Sequence, residues 1–432
     1  MMEAIFIILG LIALLLVFLA WPEISLYALA LSVPFIGWNF SVHGFVLPLS
    51  DSVAIVALAA FFIRLAYQSF FTVKEPIKLK WPLFLPFFLF IFISLLSSLL
   101  SSAPLYSLWY LTRWLILLYF AYILMPYNLI NSGKRLRGAI VSLAISTVIV
   151  LISGYLSFYG QDWRDSFFRL NSISWFGTFP FGDNHNLISE FLNVGALLFL
   201  ALREMTDKER IKRLCLVAFI ATALAIILTF SRSGWITLIL QSLIYFWYKV
   251  GKGNRVRLFF ISLGIVVLIS PLLLKMQQLQ AENTSSTEDR LLLTEISLQT
   301  LKEKPYLGYG DGQFINLVAD NVRFRAKYGD PIDSHGMLQK VLAENGLFGL
   351  AAWLFILIYL AKTAYQGLKK YYADNPWILS LILAGAGGLF FQFFNTSYYK
   401  GKVWLPIAIF LAALRLLEAK YERQTAGEQR SK

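Results

Sequence analysis

The sequence is poor in the side chains that most enzymes and metal proteins rely on. It has one cysteine and three histidines. Cys215 alone excludes an internal disulfide and any cysteine-based metal site. Only 15% of the residues are charged, against about a quarter in a soluble domain. No Gly-x-x-x-x-Gly-Lys-Ser/Thr loop occurs, so ATP-driven transport lacks its phosphate cradle. No His-Glu-x-x-His occurs, which argues against a zincin protease. No Asp-x-Asp stands in an outer loop, so a carboxylate-held divalent ion lacks its usual ligand pair. The alternating strands of a membrane barrel, about 10 residues each, are missing too. No metal or cofactor is expected.

What is present is apolar: 58% of 432 residues, with a mean hydropathy of +0.65. These residues form continuous blocks, and a membrane helix needs about 20 of them. Apolar segments run over 4–20, 24–36, 50–70, 82–100, 105–125, 137–158, 186–202, 211–230, 233–249, 257–274, 345–365, 376–395 and 402–418. The first two are short and separated only by Trp21-Pro22-Glu23, so they form either a hairpin or one broken element. No Lys or Arg precedes the first, unlike a signal peptide. The fold class expected is an all-α polytopic membrane protein with 12–13 transmembrane helices and a partly helical outer loop. Its parts are 1–274, with an outer loop near 159–185; the large loop 275–344; and 345–432, ending in a cytoplasmic tail.

The net charge of +13 could point to nucleic acid, but the placement of the charges argues otherwise. Basic clusters fall in every second connection. They are Lys74, Lys78 and Lys80; Lys134, Arg135 and Arg137; Arg203, Lys208, Arg210, Lys212 and Arg213; and Lys249, Lys252, Arg255 and Arg257. Lys362, Lys369 and Lys370 follow, and then the tail with Arg415, Lys420, Arg423, Arg430 and Lys432. Such clusters mark the cytoplasmic side. The charge is therefore mainly a topology signal toward membrane lipid, and no nucleic acid partner is expected. The N-terminus lies outside if the first two segments both cross, and inside if they count as one.

Two outer connections are too long for turns, about 159–185 and about 275–344; ordinary connections take about 4–6 residues. In the longer one, Ser285-Ser286-Thr287-Glu288 fits a capping box. The box predicts a helix over about 287–303, with Leu292, Leu293 and Ile296 on one side. Pro305 ends it, and Gly308, Gly310 and Gly312 make a tight turn. Met337, Leu338, Val341 and Leu342 have helical spacing and lead to Asn345-Gly346, where the chain re-enters the membrane. The loop's charges nearly cancel, so it is not a polyanion-binding arm.

Several outer residues carry candidate chemistry, each with a plainer reading beside it. Arg232, in Phe230-Ser231-Arg232-Ser233-Gly234, is a costly charge near hydrocarbon and marks a site, or it snorkels to lipid phosphates. Arg290 follows Asp289 and reads as a site or as a local pair on a solvated helix. Arg113, about two turns below the outer surface, is a substrate contact or an internal pair. His335, in Asp333-Ser334-His335-Gly336, is a base or a structural histidine. His185 and Asn186, one turn from Glu190, bind an acceptor or pack as a polar cluster. His43 has no supporting neighbours. Arginines pair bidentately with phosphate oxygens, and a histidine takes a proton near neutral pH. The set suits an anionic, lipid-borne substrate at the outer leaflet.

Four stretches carry a resemblance. They are Asp289-Arg290; Lys304-Pro305-Tyr306-Leu307-Gly308-Tyr309-Gly310-Asp311-Gly312-Gln313-Phe314; Ser334-His335-Gly336-Met337-Leu338-Gln339; and Ala343-Glu344-Asn345-Gly346-Leu347-Phe348-Gly349-Leu350. With Thr229-Phe230-Ser231-Arg232-Ser233-Gly234, Gly177-Thr178-Phe179 and Asn184-His185-Asn186 upstream, the chain resembles the O-antigen ligase and polymerase family of bacterial membrane glycosyltransferases. Gly336 departs from the pattern, since many relatives carry Asn after the His. The resemblance implies a C-type glycosyltransferase-like fold in the bacterial inner membrane, with the active site facing the periplasm. It implies a metal-independent, inverting transfer of a glycan from an undecaprenyl diphosphate-linked donor to a hydroxyl of lipid A-core or of a growing glycan. Arg232 and Arg290 would bind the diphosphate, His335 would serve as base or position the acceptor, and His185, Asn186, Arg113 and Glu344 would contact substrate. A polymerase of the same family and a lipid-linked glycan transporter remain alternatives. A transporter would show more charges at mid-membrane depth.

Overall fold

The computed structural model describes residues 2–42, 45–72, 79–161, 169–250, 254 and 286–430. Segment 257–274, residues 275–285 with the Ser285 cap, His43, and the basic residues Lys74, Lys78, Lys252, Arg255 and Arg257 lie outside the described residues. The protein is an all-α polytopic membrane protein. Its first half comprises α1 (Met2–Ala20), α2 (Pro22–Ser32), α3 (Leu49–Tyr67), α4 (Phe84–Leu99), α5 (Pro104–Leu129, with π-helical turns at Thr112–Ile116 and Tyr119–Leu124), α6 (Gly133–Leu156), α7 (His185–Glu204), α8 (Glu209–Leu228) and α9 (Arg232–Lys249). After the undescribed stretch come α10 (Ser286–Glu303), α11 (Phe314–Asp320), α12 (Val322–Tyr328), α13 (Met337–Tyr371), α14 (Trp377–Phe391) and α15 (Gly401–Arg430). A small antiparallel hairpin, β1 (Asn39–Val42) and β2 (Phe45–Pro48), precedes α3 and was not expected from the sequence.

Among the described residues, six helices are long and apolar enough to cross a membrane, fewer than the 12–13 expected. Length explains part of the difference. α2 has 11 residues, or about 16 Å at 1.5 Å per residue, against a hydrocarbon core of about 30 Å. It does not cross alone, and it meets α1 at the break at Trp21. α4 and α14 are apolar but shorter than the six. The helices also differ in position. In α7, 78% of the apolar stretch is covered by protein, but in α8 only 22%, so α7 is central and α8 faces outward. α4 shows how one helix serves two surroundings: Phe84, Phe88 and Phe92, four residues apart, are exposed on one side, while Phe87, Phe90, Ser94, Ser97 and Ser98 are buried on the other.

Helix ends sort cleanly. Leu170 N–H donates to Leu228 O at 2.8 Å, and Gly37 N–H to Pro180 O at 3.0 Å. These bonds bring the 169–184 connection to the end of α8 and to the turn after α2. The loop 304–313 lies on the end of α4 and the start of α5: Ser98 Oγ donates to Asp311 Oδ2 at 3.2 Å, and Gln313 Nε2 to Ser107 Oγ at 3.0 Å. The described parts of both long connections therefore cap the same end of the bundle.

Within this cap, Leu292, Leu293 and Ile296 share one side of α10 and pack with Phe314, Val318 and Phe324. The short helices α11 and α12 complete that small core; no sequence signal announced them. The expected short helix and the re-entering span are one element, α13, broken at Gly346 (φ 63°, ψ −160°), a conformation essentially confined to glycine. A break inside a membrane protein leaves backbone groups that must find partners. The loop supplies them. Tyr309 N–H and Gly310 N–H donate to Ala343 O (3.0 Å) and Glu344 O (2.9 Å), while Leu347 N–H and Phe348 N–H donate to Pro305 O (2.8 Å) and Tyr306 O (3.2 Å). Gly308 (φ 68°) lies so close to Glu344 that a Cβ there would meet backbone at 2.5 Å.

Candidate functional site

The site sits where α7, α9, α10 and the start of α13 meet the cap. Two helix N-termini are stapled together. Asn184 caps α7 by accepting from Asn186 N–H at 2.8 Å. Ser231 caps α9 by accepting from Gly234 N–H at 3.2 Å. The Ser231 hydroxyl donates to Asn186 Oδ1 at 2.7 Å, joining the two caps. Gly234 permits the approach: a Cβ there would meet Ser189 Oγ at 1.9 Å. Phe230 turns the chain between α8 and α9 with φ +55°, rare for a bulky residue, and leaves Arg232 exposed as the first residue of α9. Helix N-termini carry unpaired N–H groups and partial positive charge, which favour anions.

Arg290, half-buried on α10, faces this pair of termini. Burial first, then the Arg232 guanidinium, lowers its proton affinity below the usual arginine value, with Asp289 opposing. Arginine keeps its charge nonetheless. Its Nε is buried and makes no hydrogen bond with the described residues. The Arg290 backbone is tied to the 334–339 turn through Gln339. Gln339 Nε2 donates to Arg290 O (3.3 Å) and Thr294 Oγ1 (2.6 Å), while its Oε1 accepts from His335 N–H (3.2 Å). Burial, and next the Arg290 guanidinium, hold the His335 imidazole below its ordinary range, with Asp289 and Asp333 opposing. At neutral pH it is an unprotonated base beside a cation.

The turn that carries His335 is pinned from behind. Ser334 and Thr396 hydroxyls lie 2.9 Å apart, and Met337 N–H donates to Gln392 O at 2.9 Å. Gly336 is extended, and a Cβ there would meet Phe393 O at 2.9 Å. The departure from the family pattern at Gly336 thus coincides with a close approach of the 393 backbone.

The structure brings Arg232, Arg290, His335 and His185 together, since His185 lies in the field of Arg290. It adds Arg169, which shares that field and is held in place by Gln161, bonded to both its N–H (3.1 Å) and its C=O (2.6 Å). Nothing in its sequence neighbourhood distinguished Arg169. The other candidates take different places. Asn186 joins the two caps. Arg113 lies over Trp114, 4.5 Å from the ring centre, beside Lys400, which sits 3.9 Å over the same ring. That places it in an aromatic and cationic wall with Tyr110 and Tyr399, which adjoins the His335 turn through Lys340, 5.2 and 5.5 Å over those two rings. Glu344 is fully buried: its Oε1 accepts from Phe314 N–H at 3.1 Å, with Lys340 at 3.7 Å, while its Oε2 makes no hydrogen bond with the described residues. Glu190 is likewise buried, bound by Lys402, Gln392 and Asn395 at 2.7–2.8 Å. Lys340, unnoticed in the sequence, clamps Asp333 through both carboxylate oxygens at 2.8 and 2.7 Å and so braces the His335 turn from below.

Two comparisons with known proteins cover part of the chain. Residues 217–354 match the O-antigen ligase family. A ComP-specific O-oligosaccharyltransferase of Acinetobacter baylyi is 34% identical over 155 residues, 33% of this chain. The match spans 28% of that relative's length. Arg232, Arg290 and His335 all fall within the segment that matches the O-antigen ligase family.

Proposed function

We propose that this protein transfers a glycan from a lipid diphosphate donor to an acceptor hydroxyl, in the manner of an O-antigen ligase. The observation that carries the reading is the convergence of Arg232, Arg290 and an unprotonated His335 at two stapled helix N-termini. The arginines and the N-termini hold the diphosphate. The acceptor oxygen attacks the anomeric carbon as His335 Nδ1 or Nε2 takes its proton. The bond from that carbon to the diphosphate oxygen breaks, and the lipid diphosphate leaves with the electron pair, its charge met by the arginines. Attack from the face opposite the leaving group inverts the anomeric centre. The arginines supply the charge stabilisation, so the transfer is metal-independent.

The donor is undecaprenyl diphosphate-linked glycan, and the site faces the periplasm from the inner membrane. Lipid A-core is the acceptor of a ligase. The Acinetobacter relative is named for action on ComP, which makes a protein hydroxyl the second acceptor to test. Purified protein is given lipid-linked glycan with lipid A-core, with a protein acceptor such as ComP, or with no added acceptor, each with and without chelator. One glycan joined to lipid A-core in chelator supports the ligase reading. Glycan on the protein alone makes it an O-oligosaccharyltransferase, a ladder of lengthening lipid-linked glycans makes it a polymerase, and no transfer with any acceptor defeats the assignment.

A further inference from the structure

At the end of the bundle opposite His335, a cavity of about 1140 Å³ opens between the ends of α3, α6, α7 and α14 and the second half of α15. Among the described residues, its lining carries six basic side chains, Arg64, Lys80, Arg135, Arg415, Lys420 and Arg423, and no Asp or Glu. Lys80, Lys420 and Arg423 are exposed at the rim, and the other three are half-buried.

Basic residues that only set topology serve from exposed connections. These three arginines are instead folded inward and anchored. Arg64 Nη1 donates to Leu19 O at 3.2 Å, and Arg415 Nη2 donates to Ile130 O at 2.6 Å. Arg415 also lies 4.3 Å over the Tyr127 ring. Arg135 pairs with Glu23 at 3.1 Å, outside the lining. Arg64 and Arg415 have no carboxylate partner among the described residues. A guanidinium has five N–H donors, so one carbonyl anchor orients it and leaves most donors for a ligand. Asn128, Asn131 and Ser132 add neutral polar groups, and Phe61, Leu65 and Leu416 add apolar wall.

We infer that this cavity binds a phosphate-bearing anion, and that its occupant is the headgroup of an anionic membrane lipid. Planar arginine forks match phosphate oxygens bidentately, and basic pockets between membrane helices bind such headgroups. The apolar wall gives an acyl chain a path that a soluble phosphate would not use. The inference is independent of the transfer reaction at the other end.

The test uses full-length protein, stripped of lipid in detergent and read by native mass spectrometry. It is offered phosphatidylglycerol, cardiolipin or phosphatidylcholine, and separately sodium diphosphate. The anionic lipids are retained in preference to phosphatidylcholine. Each basic side chain near such a surface contributes about a factor of five. The Arg64→Gln, Arg415→Gln double variant therefore retains them about thirty-fold less well, and each single variant about five-fold less. Lys212→Gln, outside the cavity, changes nothing. The double Arg→Lys variant, which keeps the charge, holds more lipid than the Gln pair. Sodium diphosphate competing with bound lipid supports the shared anion chemistry. Saturable diphosphate binding with no lipid retained keeps the anion site but overturns the lipid assignment. Equal retention of phosphatidylcholine, or single Gln variants with unchanged retention, overturns the inference.

Discussion

Arg290 holds a buried Nε that makes no hydrogen bond with the described residues, and it lies in the field of Arg232, with Asp289 opposing. A lysine places one compact charge where the arginine fork makes two directed bonds. Arg232→Lys and Arg290→Lys should each lower turnover by about 10²–10³, by analogy with the loss of one donor to a developing charge. Near-normal turnover in folded, inserted variants would remove the arginines from the reaction. For His335 the expectation separates binding from chemistry. His335→Ala should keep donor binding and lose about 10²–10⁴ in transfer, the usual worth of a positioned base. The pH dependence has a definite sign. Because His335 is held below its ordinary value, the unprotonated form dominates at neutral pH and the rate is level there. The rate falls only as pH drops through that depressed value, and the residual rate of His335→Ala should lack this acid limb. A wild-type rate that falls on the alkaline side of neutrality instead would assign the titration elsewhere.

At the scale of elements, the break in α13 does the positioning. The loop 305–310 fills the gap with four backbone hydrogen bonds, and the buried serines of α4 receive it from the other side. Asn345 Nδ2 reaches both Ser94 Oγ and Asp311 Oδ1 at 3.1 Å. Asp311 is a loop carboxyl raised to about 6 by burial, which Asn345 and Ser98 partly offset. This crossing sets where the short first part of α13, and hence His335, stands over the membrane part. Gly346 occupies backbone space open essentially to glycine, and a Cβ there would also meet the Tyr306 backbone at 2.5 Å. Gly346→Ala should cost about 1–3 kcal/mol of stability, visible as a lowered melting temperature in detergent. Transfer should fall with it, because the loop and the His335 turn shift together. An unchanged melt would mean that the crossing is looser than its hydrogen bonds indicate.

For the whole molecule, the described parts of both long connections lie at one end of the bundle and the basic cavity at the other. That separation agrees with the alternation of basic clusters along the chain. The side of the membrane can be tested directly. In a Cys215→Ser background, Lys302→Cys on the exposed side of α10 should react with an impermeant thiol reagent in intact spheroplasts. Arg210→Cys, exposed in the first turn of α8, should react only after lysis. The reverse pattern would turn the protein over and put the candidate site in the cytoplasm.

Apolar block length and charge alternation determined the membrane class, and most helix positions, from the sequence alone. The α10 helix was legible because a capping box, an apolar side and Pro305 agree over a short window. Arg232, Arg290 and His335 stood out because charged or titratable residues beside small ones are rare in so apolar a chain, and because their surroundings resemble a known family. Convergence was not legible. Arg169 and Arg290 are far apart in sequence, and only the packing of the cap onto α7 and α9 places both in the field of His185. The burial of Glu344 against Phe314 and Lys340 was not legible either. Burial of a single polar group is decided by what the rest of the chain lays over it. The same holds for the α13 break: Asn345-Gly346 marks a turn in sequence, but partners distant in the chain keep α13 on course through it. Local pattern sets which segments enter the membrane, and long-range contact decides which of their polar groups meet each other and which are left facing a ligand.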